Sequence, residues 1–131
     1  MRLRVEHIGL AAKDPAFLRD WYVRVLGFEE VFRDRGNPAA YFLRSSAGLM
    51  IEIYPADSGN DAVRNNKLAG WRHLALRVES METARAALAA RGVEFTEEIR
   101  PAGGGGRVLF FSDVEGNLLH LVERPEGFDG E

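Results

Sequence analysis

The chain contains no cysteine, and only three of its 131 residues are histidine. Without cysteine there is no disulfide framework, no thiolate metal ligand and no cysteine nucleophile, so we expect a protein of the reducing cytoplasm. No apolar run approaches the roughly 20 residues of a membrane span, and the first residues lack the apolar segment of a signal peptide. A net charge of −3 offers no basic face for nucleic acid. We therefore expect a small-molecule partner, with no nucleic acid and no membrane.

Length and composition are those of an ordinary globular protein. A chain of 131 residues with 46% hydrophobic and 28% charged residues can bury a core of its own without disulfide or metal staples. We predict a single domain over residues 1–131.

The first half of the chain alternates strand and helix signals. In residues 3–12, His7 and Gly9 share one face of a β-type run and Ile8 shares the other with the following aliphatics. Asp14 is a helix N-cap followed by proline, and Gly27 ends the apolar helical periodicity. The predicted elements are a strand over 3–12, a helix over 15–26, and strands over 28–33, 40–44 and 49–54.

The second half repeats this order after a polar, turn-rich segment over 57–69. Its predicted elements are a strand over 71–78, a helix over 81–92, and strands over 93–99, 107–112 and 118–123. Equivalent positions keep nearly constant spacing, which indicates an internal duplication. The matching pairs are His7 and His73, Asp14 and Ser80, Gly27 and Gly92, and Glu52 and His120, with offsets of 66, 66, 65 and 68 residues.

A duplicated unit of this order predicts an α+β fold. Two tandem βαβββ modules, at about 1–56 and 70–124 with a linker over 57–69, would each cover one face of a small sheet with a helix. The other sheet faces would form a concave cleft, because the strand alternation directs the aliphatic side chains towards the helices.

Four polar residues fall on the predicted cleft side at matching points of the repeat. They are His7, Glu52, His73 and His120, and they include every histidine of the chain. Imidazole and carboxylate are ligands for divalent Zn, Ni, Fe, Mn or Co, so we predict a metal site. Glu123 is a competing carboxylate, but it lies three residues after His120 and would face the opposite side of a regular strand.

Four further residues are candidates for binding a substrate. They are Tyr54, Trp71, Arg77 and Phe111. For the aromatic residues, packing in the core or against a sheet is an equally good explanation.

Several segments together resemble the vicinal oxygen chelate superfamily, which includes glyoxalase I, bleomycin-resistance proteins, extradiol dioxygenases, fosfomycin-modifying enzymes and methylmalonyl-CoA epimerase. The resemblance covers almost the whole chain and implies paired βαβββ modules, a divalent metal ion and a homodimer. It is carried by His7-Ile8-Gly9-Leu10, Trp21-Tyr22, Leu26-Gly27-Phe28, Leu49-Met50-Ile51-Glu52-Ile53, Arg72-His73-Leu74-Ala75-Leu76 and the run from Phe111 to Leu121.

The resemblance places His7, Glu52 and His73 at the first three ligand positions of the superfamily. The fourth position normally carries glutamate, whereas this chain has His120. The resemblance to glyoxalase I implies an arginine and an asparagine that hold glutathione, but Ala11 and Ala56 stand at those two positions. Glutathione dependence is therefore not expected.

Three functions follow from the resemblance. The leading hypothesis is a metal-dependent lyase or isomerase of the glyoxalase kind, which chelates vicinal oxygens of a small substrate and uses Glu52 as the proton-transferring base. The first alternative is a metal-dependent extradiol-type dioxygenase. The second is a non-enzymatic small-molecule-binding protein of the bleomycin-resistance type.

Overall fold

The computed structural model describes residues 1–129 and divides the chain into two compact units, Met1–Asn60 and Asp61–Glu131. Each unit has the order strand, helix, strand, strand, strand, so the predicted α+β fold with two tandem βαβββ modules is confirmed. Unit 1 contains β1 (Ile8–Ala12), α1 (Pro15–Leu26), β2 (Glu29–Arg33), β3 (Tyr41–Arg44) and β4 (Met50–Pro55). Unit 2 contains β5 (Leu74–Arg77), α2 (Met81–Ala90), β6 (Arg100–Pro101), β7 (Arg107–Ser112) and β8 (Leu118–Glu123).

The two sheets have the same topology. Their strand orders are β1-β4-β3-β2 and β5-β8-β7-β6, with the first pair parallel and the other pairs antiparallel. In each unit the last strand therefore lies between the first and the third. This order places Glu52 on β4 next to β1, which directly follows His7, and His120 on β8 next to β5, which directly follows His73.

The predicted caps define both helices. The Asp14 carboxylate accepts a hydrogen bond from the Phe17 amide at 3.1 Å, and Gly27 ends α1 with φ of 75°. In α2 the Ser80 hydroxyl accepts from the Thr83 amide at 3.2 Å. Loss of such an N-cap typically costs about 1 kcal/mol, so these polar side chains fix where each helix begins.

Each core lies between a helix and one face of its sheet. Tyr22 of α1 is buried against a sheet face that includes Leu43 and Ile53, and Met81 of α2 is buried with Leu109 of β7. Each fully buried aliphatic side chain contributes about 1.5–3 kcal/mol through removal from water. The alternation of β4, in which Ile51 and Ile53 are buried and Glu52 is half-buried, agrees with the prediction that the aliphatic side faces the helix.

Three strand predictions are wrong in extent. β1 begins at Ile8 rather than Leu3, because Ile8 is the first residue with a partner on β4, Ile51. β5 begins at Leu74 rather than Trp71 for the same reason, since Leu74 pairs with Leu119.

The second strand of unit 2 departs most from the prediction. Residues 93–99 form no ladder, and β6 consists only of Arg100–Pro101. Val93 and Phe95 contribute side chains instead: Val93 is buried, and the Phe95 ring lies 5.4 Å from that of Phe111. The alternation of apolar residues in this segment therefore reflects the packing of Val93 and Phe95 in the core, and not the pairing of a strand.

Among residues 1–129, no helix has the length and apolar character needed to cross a membrane.

Candidate metal centre

In unit 1 the topology brings His7 and Glu52 together. Glu52 of β4 pairs with Gly9 of β1. His7 lies two residues before Gly9, and residues two apart in an extended chain face the same side. The Nε2 atom of His7 lies 3.5 Å from Oε1 of Glu52. Both side chains keep about a third of their surface exposed, at 33% and 30%, so the pair remains accessible to a ligand.

The other edge of the His7 ring is held by its own neighbours. Its Nδ1 lies 2.8 Å from Oε1 of Glu6. The ring also meets Phe42 of β3 edge-on, with centroids 5.2 Å apart and planes at 78°. Both contacts restrict the imidazole to an orientation in which Nε2 is directed at Glu52.

In unit 2 the same register brings His73 and His120 together. His120 of β8 pairs with Ala75 of β5, which lies two residues after His73. The two imidazole centroids are 4.7 Å apart. His120 is buried, whereas His73 is exposed.

Hydrogen bonds at Nδ1 orient both histidines of unit 2. Nδ1 of His73 lies 2.7 Å from Oδ1 of Asn66, and Nδ1 of His120 donates to the Leu121 carbonyl at 3.1 Å. A metal-binding imidazole commonly donates from one nitrogen to the protein and presents the other to the ion. In all three histidines a protein oxygen lies close to Nδ1, so Nε2 is the nitrogen left for an ion.

Burial lowers the pKa of His120 below its ordinary value. The hydrogen bond to Leu121 opposes this shift, and the positive charges of Arg124 and Arg100 add to it. The neutral imidazole, which is the form that binds metal ions, is thereby favoured.

Each unit thus joins two ligand-type side chains. Among residues 1–129, the structure assembles no group of three or more His, Asp or Glu side chains that could hold a metal ion. A protein site for a divalent transition metal generally supplies three or four ligands. The structure shows two matching pairs of ligand-type side chains, one in each unit, and each pair is called a half-site.

Glu123 lies away from His120, as the strand alternation predicts. Its Oε2 accepts a hydrogen bond from the Met81 amide at 2.7 Å, and its Oε1 accepts from Arg107 at 2.9 Å. The hydrogen bond from the Met81 amide, and after it the one from Arg107, hold the pKa of Glu123 below its ordinary value. Glu123 therefore secures the first turn of α2 and does not join the half-site.

The four predicted substrate-binding residues have different surroundings. Tyr54 is 38% exposed on β4, and its ring lies close to Gly9, where an added Cβ would come within 3.2 Å of the ring. Arg77 donates to Asp129 at 2.7 Å. Trp71 is 98% exposed.

Phe111 is not on the face that carries His120. It is buried and packs against Phe95 on the helix side, because it is Phe110 that pairs with His120 in the β7–β8 ladder. Phe111 is therefore explained by packing in the core, which is the alternative to substrate binding. Its neighbour Phe110 is the aromatic residue at the half-site.

Sequence reasoning missed the residues that contact the histidines, among them Glu6, Phe42, Phe110 and Asn66. Phe42 and Phe110 lie on the third strands, directly across from Glu52 and His120. They are separated by 68 residues, the same offset as Glu52 and His120, so the repeat itself contained the signal. Asn66 has no such signal, because it lies in an irregular segment whose path the sequence pattern does not specify.

Comparison with known proteins matches this chain to one superfamily. A family model described as the Glyoxalase/Bleomycin resistance protein/Dioxygenase superfamily matches residues 4–121. The uncharacterized protein YwkD of Bacillus subtilis is 30% identical over 124 residues, which cover 92% of this chain and 96% of YwkD. The crystal structure of a glyoxalase family protein from Enterococcus faecalis has a TM-score of 0.78 and 27% identity, covering 92% of this chain and 97% of that one.

A more distant structure shares the fold. The fosfomycin resistance protein FosX of Listeria monocytogenes, solved with Mn(II) and 1S,2S-dihydroxypropylphosphonic acid, has a TM-score of 0.71 at 24% identity, covering 98% of this chain and 95% of that one.

Proposed function

Because the chain belongs to the glyoxalase/bleomycin resistance protein/dioxygenase superfamily, we propose that it is a metal-dependent lyase or isomerase of the glyoxalase kind. Its substrate is a small molecule with two neighbouring oxygen atoms, and it does not depend on glutathione. The observation that supports this proposal best is the matched pair of half-sites, in which three imidazoles are oriented through Nδ1 and one carboxylate accompanies them.

The metal ligands we propose are His7 and Glu52 of unit 1 with His73 and His120 of unit 2. Three neutral imidazoles and a carboxylate suit Zn, Ni, Fe, Mn or Co, and the Nδ1 contacts in both half-sites fit such an ion. When bound, the ion supplies Lewis acidity to the oxygen atoms of the substrate. We also propose that the protein works as a homodimer, as the family resemblance implies.

Glu52 is the residue we propose as the proton-transferring base. It is the carboxylate of the half-sites, its side chain is 30% exposed, and its Oε1 lies 3.5 Å from the His7 imidazole. A carboxylate that is partly accessible can reach a proton on a bound substrate, and general acid–base catalysis needs that reach first. His7 then helps to fix the position of the carboxylate.

Metal analysis after growth with supplied metals tests the proposal. We expect stoichiometric metal in the purified protein, and Mn²⁺ is a suitable first probe because FosX, which shares this fold, was solved with it. Glu52→Gln should abolish turnover of small 2-oxo aldehydes and related substrates while the protein keeps most of its metal. Glu123→Gln is the matched control, because that carboxylate caps α2 instead; it should keep both metal and turnover.

Other outcomes would favour the other functions. Oxygen uptake with catechol substrates would indicate an extradiol-type dioxygenase. Tight binding of a small molecule by a protein that takes up no metal would indicate a binding protein of the bleomycin-resistance type. A fully active Glu52→Gln variant would contradict the assignment of the base.

A further inference from the structure

Phe42 and Phe110 occupy the same position in the two units. Phe42 of β3 pairs with Glu52, and Phe110 of β7 pairs with His120. Residues paired across an antiparallel ladder project from the same face of a sheet. Each phenylalanine is therefore on the face of its sheet that carries the candidate ligands, and neither is part of the helix-side core.

Each ring contacts the first-strand histidine of its own unit in the same way. Phe42 meets His7 with centroids 5.2 Å apart at 78°, and Phe110 meets His73 at 5.7 Å and 84°. Edge-to-face packing of this kind is a favoured arrangement of aromatic rings. Because it occurs twice, in units that share no residues, it is a property of the duplicated module.

Each phenylalanine is itself supported from a second side. The Phe32 ring lies 6.0 Å from Phe42 at 67°, and the Arg100 guanidinium lies over the Phe110 ring at 4.9 Å. Phe110 also contacts His120, with centroids 4.7 Å apart. One ring thus touches both histidines of unit 2, whereas Phe42 touches the single histidine of unit 1.

We propose that Phe42 and Phe110 are positioning residues, which hold the candidate metal-binding imidazoles in the orientation set by their Nδ1 contacts. This inference rests on the proposed metal site and assigns a role within it. Rigid support of ligand side chains increases metal affinity because less motion is lost when the ion binds. The effect of Phe110 should exceed that of Phe42, since Phe110 supports two rings.

The test compares neighbouring phenylalanines on opposite faces of β7. Phe110→Leu should weaken Zn²⁺ or Mn²⁺ binding by about three- to tenfold, which corresponds to the loss of one or two ring contacts. Phe111→Leu is the matched control, because Phe111 packs in the helix-side core; it should lower the unfolding midpoint and leave metal affinity unchanged. In unit 1, Phe42→Leu and Leu43→Val form the equivalent pair.

A second measurement does not require metal. In the metal-free protein, NMR relaxation of the His73 ring carbons should show increased motion in Phe110→Leu, and Phe110→Tyr should restore the wild-type values. Unchanged ring motion and unchanged metal affinity in Phe110→Leu would overturn the proposal, as would an equal loss of affinity in Phe111→Leu. If the wild-type protein binds no metal, the proposed function fails, and the ring motion still decides whether Phe110 positions His73.

Discussion

Oδ1 of Asn66 lies 2.7 Å from Nδ1 of His73, so the irregular segment that joins β4 to β5 in the chain orients a candidate metal ligand. Asparagine oxygen can only accept, so Nδ1 of His73 is the donor in this contact, and in a neutral imidazole with this tautomer Nε2 carries the lone pair. The Leu121 carbonyl does the same for His120 at 3.1 Å. The tautomer needed for binding through Nε2 is thus set by groups outside the ligand set.

Replacing Asn66 should therefore weaken metal binding. We expect Asn66→Leu to reduce affinity for Zn²⁺ or Mn²⁺ by about 10–100-fold, the usual effect of losing a hydrogen bond behind a ligand. Asn66→Asp keeps an acceptor and should retain most of the affinity. Isothermal titration of the metal-free variants measures both.

Asn65 provides the control for that experiment. Its side chain accepts from the Lys67 amide at 3.0 Å rather than from a histidine. Asn65→Ala should leave metal affinity at the wild-type value, and a comparable loss in this variant would show that the whole segment, rather than the contact with His73, is responsible.

The repeat predicted the ligand-type residues better than their surroundings. Nearly equal offsets of 66 and 68 residues link His7 to His73 and Glu52 to His120, because each pair occupies one position of a duplicated module. Asn66 escaped prediction because irregular segments are placed by tertiary contacts, which leave no periodic signal.

The misplacement of Phe111 has a different physical origin. Successive strand residues face opposite sides, so an error of one residue moves a side chain from one face of the sheet to the other. The register of the β7–β8 hairpin gives the right face. Ser112 pairs with Leu118 next to the turn, and two pairs further from the turn Phe110 lies opposite His120.

Strand lengths could not be predicted from alternation alone. Residues 3–7 have the right pattern, yet β1 begins only where β4 offers a partner, at the Ile8–Ile51 pair. A strand needs a neighbour for its backbone hydrogen bonds as well as a suitable sequence, and the neighbour is a property of the fold.

Gly106 should be intolerant of any side chain. Its φ is +92°, and a Cβ at this position would overlap the carbonyl oxygen of Glu123. We expect Gly106→Ala to destabilise the protein by more than about 4 kcal/mol, since the strain of a left-handed residue is added to a clash with backbone. Gly48 has φ of +99° and open space around the added Cβ, so Gly48→Ala should cost only about 1–2 kcal/mol. Urea unfolding of the two variants checks the difference, and equal losses would contradict it.

Glu123 should make stability depend on pH in the acid range. Its carboxylate accepts from the Met81 amide and from Arg107, and these bonds lower its pKa. A carboxyl group with a lowered pKa stabilises the fold above its unfolded pKa, about 4.3 for glutamate, and this contribution is lost as the pH falls through the folded pKa. The free energy of unfolding of the wild type should thus fall more steeply below about pH 5 than that of Glu123→Gln. Parallel curves from urea unfolding across this range would show that Glu123 has no such role.

The proposed metal ligands of each unit should be required for metal binding. Two ligands from one unit leave a divalent transition ion with too few protein donors for stable binding, because protein sites generally supply three or four. The double variants His7→Ala with Glu52→Ala, and His73→Ala with His120→Ala, should therefore each lose stoichiometric metal while they stay folded. Since the first pair is partly exposed, its loss should have little effect on stability, whereas the buried His120 makes the second variant the less stable of the two. Metal analysis together with circular dichroism separates loss of ligands from loss of fold, and full metal content in either folded variant would contradict the proposed set of four ligands.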